Sequence, residues 1–430
     1  MECQHRNAWL GPVASLAVVL VLVSVVVMYR SKIAEVIGRN NTWLNKLGQR
    51  LVLFIVCLQI ITVLKVNHDS MEGAKFMAEP YNTYLKLASV FDLKLVQLLP
   101  LNCFSDTYFD HFYVLVTTTL VPPVAAFSFF FTAWLVSKSS AGETAKSATG
   151  ETRKKVFMQA LLFAYPPISR TICQSFRCSD FDDDGKGRDV SFLTADMSID
   201  CSEDRYWAMV VYANLCVLIY SVGIPLVLFL KLFKWRNELN PGYEDEERAI
   251  RVRMKQVEML ADPFIDFAIR FRPARWWYEI YSLGRRFALT SAVLAFDTLA
   301  GSTVYVLAVA GSSLVLDREW AAYIDSYTFT LNHALNIQVM MVPLYMLLVD
   351  AGMLRGDYSV AISAGLFAMD LMMISAMIGA ATQEIHQEKV KAKQLKAMRV
   401  QLNVDKAEDI KKVALFVIGQ LLPRKSTSST

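Results

Sequence analysis

The feature that most constrains this chain is its recurrence of apolar runs close to twenty residues long. A helix rises 1.5 Å per residue, so ~20 apolar residues match the ~30 Å of hydrocarbon in a bilayer. Nine windows have that character, at about 9–28, 51–67, 112–137, 156–176, 207–230, 279–297, 302–316, 328–349 and 358–381. Composition agrees: 54% of the 430 residues are apolar, 20% are charged, and the mean hydropathy is +0.33. A soluble chain this apolar has too little polar surface to cover itself. The same figures exclude a disordered chain, a coiled coil, a secreted disulfide scaffold and a basic nucleic-acid binder. The expected fold is an all-α, polytopic membrane helix bundle of about nine transmembrane helices.

The chain divides into three parts. Residues 1–50 carry the first span, read as a signal anchor because its apolar core exceeds the usual ~7–15 residues of a cleaved signal peptide, and then a basic inner loop. Residues 51–381 form the multi-span membrane domain. Residues 382–430 form a cytoplasmic helical tail, in which 409–422 suggest an amphipathic helix. The stretch 81–101 is apolar every third or fourth residue but carries Lys86, Asp92 and Lys94. It reads as an interfacial or re-entrant helix.

Charge gives an orientation. The 44 Lys and Arg nearly balance the 40 Asp and Glu, yet 31 of the 44 fall in alternate gaps between spans. Basic residues accumulate on the cytoplasmic side. The N-terminus is therefore expected outside, the C-terminus inside, loop 177–206 outside and loop 231–275 inside, in a protein of the plasma membrane.

None of the seven cysteines falls in a cytoplasmic loop, which suits an oxidising outer compartment. Cys178 and Cys201 are expected to close the outer loop, with Cys103 and Cys173 as a second candidate pair. Spacing alone leaves the connectivity open. Between Cys178 and Cys201, Asp180, Asp182 and Asp184 precede Gly185 as in the first half of a calcium-binding loop. Alternate carboxylates there converge on one hard cation. Position twelve is Ser191 rather than a bidentate Glu, so the site is weak beside the alternative of a solvated acidic loop. The five histidines are isolated, and no other cofactor is expected.

Ionisable residues inside apolar spans are functional candidates because burying charge is expensive. Arg170 follows Pro166-Pro167, and Asp370 interrupts LFAMDLMMIS. The two can form a buried pair that is structural, or they can serve permeation or gating. Trp276 and Trp277 read as an interfacial belt, with Arg285 and Arg286 able to meet lipid phosphates or to find partners in other spans. Membrane lipids and an oligomer or partner membrane proteins are the expected associates; nucleic acid is not. No P-loop, HExxH or nucleophile–His constellation points to an enzyme.

Several segments carry a family resemblance. They are LLFAYPPISRTICQSFRC with the acidic loop and DMSIDCSEDRYW; FRPARWWYEIYSLGRRFALTS; the region Tyr323 to Leu348 with Asn332 and Asn336; and LKLASVFDLKLVQLLPLNCF. Together they resemble the transient-receptor-potential-like C-terminal membrane module of large surface proteins in algae, oomycetes and other protists. The resemblance covers about half of the chain. It implies a cation-channel-like or transport subunit. The alternative is a non-conducting membrane scaffold or accessory subunit of a larger assembly.

Overall fold

The computed structural model describes residues 42–71, 74–89, 110–120, 122–124, 143–182, 189–258, 260, 262 and 264–401. The elements in chain order are α1 (Thr42–Asp69), α2 (Tyr81–Ala88), α3 (His111–Val124) and α4 (Glu143–Gln174). Three strands follow: β1 (Cys178–Asp182), β2 (Asp189–Leu193) and β3 (Asp196–Asp200). Next come α5 (Asp204–Cys216), a π-helical segment (Val217–Val222), α6 (Gly223–Lys234), α7 (Glu246–Glu258), α8 (Tyr278–Thr290), α9 (Leu299–Trp320), α10 (Ser326–Asp350) and α11 (Asp357–Gln401).

Five of these helical stretches are long and apolar enough to cross a membrane: Lys46–Asp69, Asp204–Lys234, Leu299–Trp320, Ser326–Asp350 and Asp357–Gln394. They coincide with the expected second, fifth, seventh, eighth and ninth windows. The expected first window and the helix at 409–422 lie outside the described residues, as does the third window beyond Val124. The fourth window forms the C-terminal half of α4, whose first half carries Arg153, Lys154 and Lys155. The sixth breaks up. Thirteen-residue α8, about 20 Å long, ends at Thr290, and a 3-10 turn, Ala292–Ala295, follows it.

Two ion pairs fix the relative sense of the principal helices. Lys46 near the start of α1 meets Asp325 just before α10 (3.1 Å), and His68 at the far end of α1 meets Asp350 at the far end of α10 (2.7 Å). Those two helices are therefore parallel. Helix α11 returns antiparallel, with Tyr345 of α10 against Ser359 near its start and Arg50 of α1 against Glu384 near the other end (2.8 Å). Helices α9 and α10 form an antiparallel hairpin. Thr298 caps α9 by accepting from Gly301 N, Ala321 ends it in the left-handed region (φ 41°), and Asp325 caps α10 by accepting from Thr328 N. The main core joins α1, α2, α10 and α11, with Ile61, Tyr81, Leu85 and Val342 fully buried.

The expected interfacial or re-entrant helix is described over its first part, where α2 packs Tyr81 and Leu85 into this core and leaves Leu87 exposed. The remainder of 81–101 beyond Ser89 lies outside the described residues.

The loop expected outside is a small antiparallel sheet, ordered β1-β2-β3, so the expectation of an all-helical chain needs amending there. The Cys178–Cys201 disulfide closes it. The second candidate pair is corrected: Cys173 is a free thiol, and Cys103 lies outside the described residues. Tail residues 382–401 continue α11 without a break.

The helix pair α5–α6 has an interruption with an identifiable cause. Pro225 has no N–H to give to the carbonyl of Ser221, four residues earlier. The Tyr165 hydroxyl from α4 donates to that carbonyl instead, at 2.9 Å. Gly223 completes the turn, because a Cβ there stands 2.9 Å from the Leu218 carbonyl oxygen. Tyr165→Phe leaves the buried carbonyl unsatisfied and is expected to lower stability by about 1–2 kcal/mol. Thermal unfolding in detergent, compared with a Tyr→Phe change at exposed Tyr358, measures the loss.

Candidate intramembrane polar site

Asp370 lies inside the most apolar part of α11, with 1% of its surface exposed. The neighbours on α2 and α10 are placed by backbone contacts. The N–H of Tyr81, first residue of α2, donates to Ser363 Oγ (3.1 Å), and Ser363 Oγ donates to the Ala78 carbonyl (2.7 Å). Ser363 precedes Asp370 by two turns on the same face of α11, so this anchor delivers the Tyr81 ring to the carboxylate. Gln338 of α10 donates through Nε2 to Tyr81 Oη (3.1 Å) and to the Leu366 carbonyl (3.3 Å), one turn before Asp370. Tyr81 therefore accepts from Gln338 and keeps its own hydrogen for Asp370, which it faces.

The remaining polar atoms are without hydrogen-bond partners. Neither oxygen of Asp370 completes a hydrogen bond with the described residues, and Gln338 Oε1 has no partner either. The Tyr84 hydroxyl, on the same helix as Tyr81, is also unpartnered. A bare carboxylate in so dry a place is several kcal/mol out of balance. It regains that balance by taking a proton or a cation. One carboxylate with neutral oxygens suits a proton or a monovalent ion, and oxygen donors suit hard cations. Among the described residues no group of three His, Cys, Asp or Glu side chains is placed to hold a metal ion.

Arg170, the other expected intramembrane charge, is buried on α4 and donates through Nη2 to Asn67 Oδ1 of α1 at 3.0 Å. The anticipated Arg170–Asp370 pair is not among the ion pairs of the described residues; Asp370 sits with Tyr81 instead.

Arg285 and Arg286 take the second of the two courses expected of them, pairing within the protein. Both turn into the protein rather than toward lipid phosphates. Arg285 reaches Asp317 of α9 at 3.7 Å, and Arg286 reaches Glu279 at 3.7 Å; Glu279 also holds Arg270 at 3.0 Å. Asp317 is a second buried hub. It accepts from the Tyr278 hydroxyl (2.6 Å) and from the Asn336 side-chain amide. Trp276 packs on Phe229 and Phe233 of α6, and Trp277 packs edge-on against Trp320. The acidic run is also reshaped. Asp180 and Asp182 belong to β1, which pairs with β2, and as alternate residues they share one face of the strand. Asp184 lies outside the described residues.

Two groups of polar residues escape a reading based on apolar windows. Asp317 falls in an expected loop, and Gln338, Asn332 and Asn336 are uncharged. Their signal is local: Asn332 and Asn336 are four apart on an otherwise apolar helix, so they share one face. No family model, curated protein or solved structure matches this chain.

The charged cluster at the other end of the bundle has a pH signature. Burial alone would raise the Asp325 carboxyl, but hydrogen bonds from Thr328, Arg50 and Lys46 outweigh it and hold it well below the ordinary carboxylate range. A carboxylate depressed on folding stabilises the protein above its unfolded value, near 3.9, and that stabilisation fades as pH falls toward the lower folded value. Asp325→Asn keeps the helix cap but loses the charge. Its thermal midpoint is expected to fall at pH 7, with the deficit shrinking in acid; equal deficits at both pH values contradict the assignment. Asp370→Asn is expected to show no loss of thermal stability at pH 7, since it removes an unpaired buried charge rather than a satisfied one.

Proposed function

We propose that this chain is an integral membrane protein that conducts or transports protons or monovalent cations, and that Asp370 is the binding group on their route. The observation that carries this reading is a carboxylate, buried midway along an apolar helix, with oxygen neighbours and no cationic partner among the ion pairs of the described residues. Intramembrane carboxylates in that situation commonly mark ion or proton paths. The Pro225 break and its π segment supply a joint in α5–α6 where helix segments can shift, as gating requires. The resemblance to transient-receptor-potential-like modules is in keeping with a cation-channel-like or transport subunit. The basic asymmetry of the sequence favours a cytoplasmic C-terminus and about nine crossings, and the plasma membrane is the proposed location.

The test is flux through purified protein in vesicles, with a pH-sensitive dye and with K⁺- or Na⁺-sensitive dyes. Wild type is expected to pass protons or one of these cations. Asp370→Asn is expected to lower that flux at least about tenfold, the effect of ~1.4 kcal/mol on the barrier. Unchanged flux in Asp370→Asn removes this residue from the route. Absence of flux under voltage, stretch and calcium favours the non-conducting scaffold.

A further inference from the structure

A separate cavity of about 320 Å³ lies between α10 and α11, at the end of the bundle away from α2. Its size is at the lower end of small-molecule sites, ~300–1,000 Å³. Leu331, Met369, Met373, Ala376 and Met377 line it, with Arg50 at its edge. Its few polar groups are already satisfied. Thr330 Oγ1 donates to the Ser326 carbonyl, Tyr327 Oη donates to Gln383 Oε1, and Arg50 is held by Asp325 and Glu384. An occupant therefore meets apolar surface and no open hydrogen-bonding group. Methionines suit a flexible occupant because they adapt to its shape.

The surroundings identify that occupant. Both walls are helices apolar and long enough to cross a bilayer, and the side chains flanking the opening on α11, Leu371 and Met372, are exposed apolar groups. The medium outside such a wall is hydrocarbon. At the polar end of the cavity stand Lys46, Arg50, Asp325 and Glu384. Lys46 is the exposed member, with 42% of its side chain open. Its ammonium has three N–H donors, of which two reach Asp325 (3.1 Å) and Glu384 (3.3 Å). The third is available to an anionic oxygen at the membrane boundary, where α11 changes from apolar residues to Gln383 and Glu384.

We infer that the cavity is a phospholipid site: one acyl chain lies between α10 and α11, and the lipid phosphate meets the Lys46 ammonium. This site is independent of Asp370 and of the proposed transport. Met373 and Met377 face both the cavity and the main core. An acyl chain against them bears directly on the packing of α11.

The experiment uses the full chain in phosphatidylcholine vesicles containing a little phosphatidylglycerol with a photoreactive diazirine in its acyl chain. After irradiation, cross-links are mapped by mass spectrometry and normalised to those on the exposed apolar face at Leu215 and Leu218. Wild type is expected to label between Met369 and Ala380. Ala376→Phe and Thr330→Phe fill the cavity from opposite walls, and each is expected to cut that labelling about tenfold, equivalent to ~1.4 kcal/mol of binding. If one variant fails to insert, the other decides. Lys46→Ala is expected to weaken labelling by the phosphatidylglycerol probe but not by a diazirine diacylglycerol, which lacks the phosphate. Labelling unchanged by either filled variant marks mere surface contact and overturns the site. Absence of label in wild type overturns it equally, since the cavity then holds protein rather than lipid. An equal response of both probes to Lys46→Ala overturns the headgroup contact.

Discussion

A guanidinium with 1% of its surface exposed, that of Arg50, holds one end of the helix bundle together. It reaches Asp325 ahead of α10 and Glu384 on α11, while its own backbone belongs to α1. Three helices distant in sequence thus share one cation. Removing a single partner from such a buried pair commonly costs ~3–5 kcal/mol, because the survivor is stranded in a dry place. The geometry is correspondingly unforgiving. At the opposite end, Asp350 plays a similar part with His68 and the backbone N–H of Lys75. Between these two polar belts the helices meet mostly through apolar contacts and neutral side chains, with Arg285 set against Asp317. Asp370 differs in having no cation beside it among the ion pairs of the described residues.

How much of this was legible in the sequence depends on the distance over which each cause acts. Apolar length is a local property, and the windows at 51–67, 207–230, 302–316, 328–349 and 358–381 became helices of membrane-spanning length. The outer cystine was legible too, because Cys178 and Cys201 bound a single loop. The strands between them had a visible signal that the acidic run obscured. DVSFL and DMSID alternate polar and apolar residues with the period of a strand. The spacing of Asp180 and Asp182 fits that same alternation.

Tertiary partnership was not legible. Arg285 and Arg286 weakened the apolar window around them and invited a reading as lipid contacts. Asp317, the partner of Arg285, is fixed by how α8 lies against α9, whereas Glu279 stands two turns before Arg286 on α8 itself and is joined there by Arg270 from the loop that folds back before α8. That fold-back rests on a short pairing of Phe271 with Tyr323 and on two carbonyls, of Ile269 and Phe271, gathered by the buried Arg253. No periodicity announces such contacts. The same holds at the candidate site. Asp370 stood out as a charge in an apolar run, but Tyr81 arrives from a helix nearly three hundred residues away in sequence and Gln338 from the preceding helix.

The parallel course of α1 and α10 has a topological consequence. A chain that enters a bilayer twice in the same sense must traverse it an odd number of times in between. Only two intervening helical stretches, Asp204–Lys234 and Leu299–Trp320, are long and apolar enough among the described residues. Two is even. In a bilayer, then, the arithmetic of direction obliges at least one further segment to make the passage, from the apolar window at 112–137 or from the shorter or less apolar α4 and α8. A crossing segment that carries charge has to be sheltered by its neighbours rather than by its own composition, as the buried pairs of Arg285 and Arg286 shelter α8.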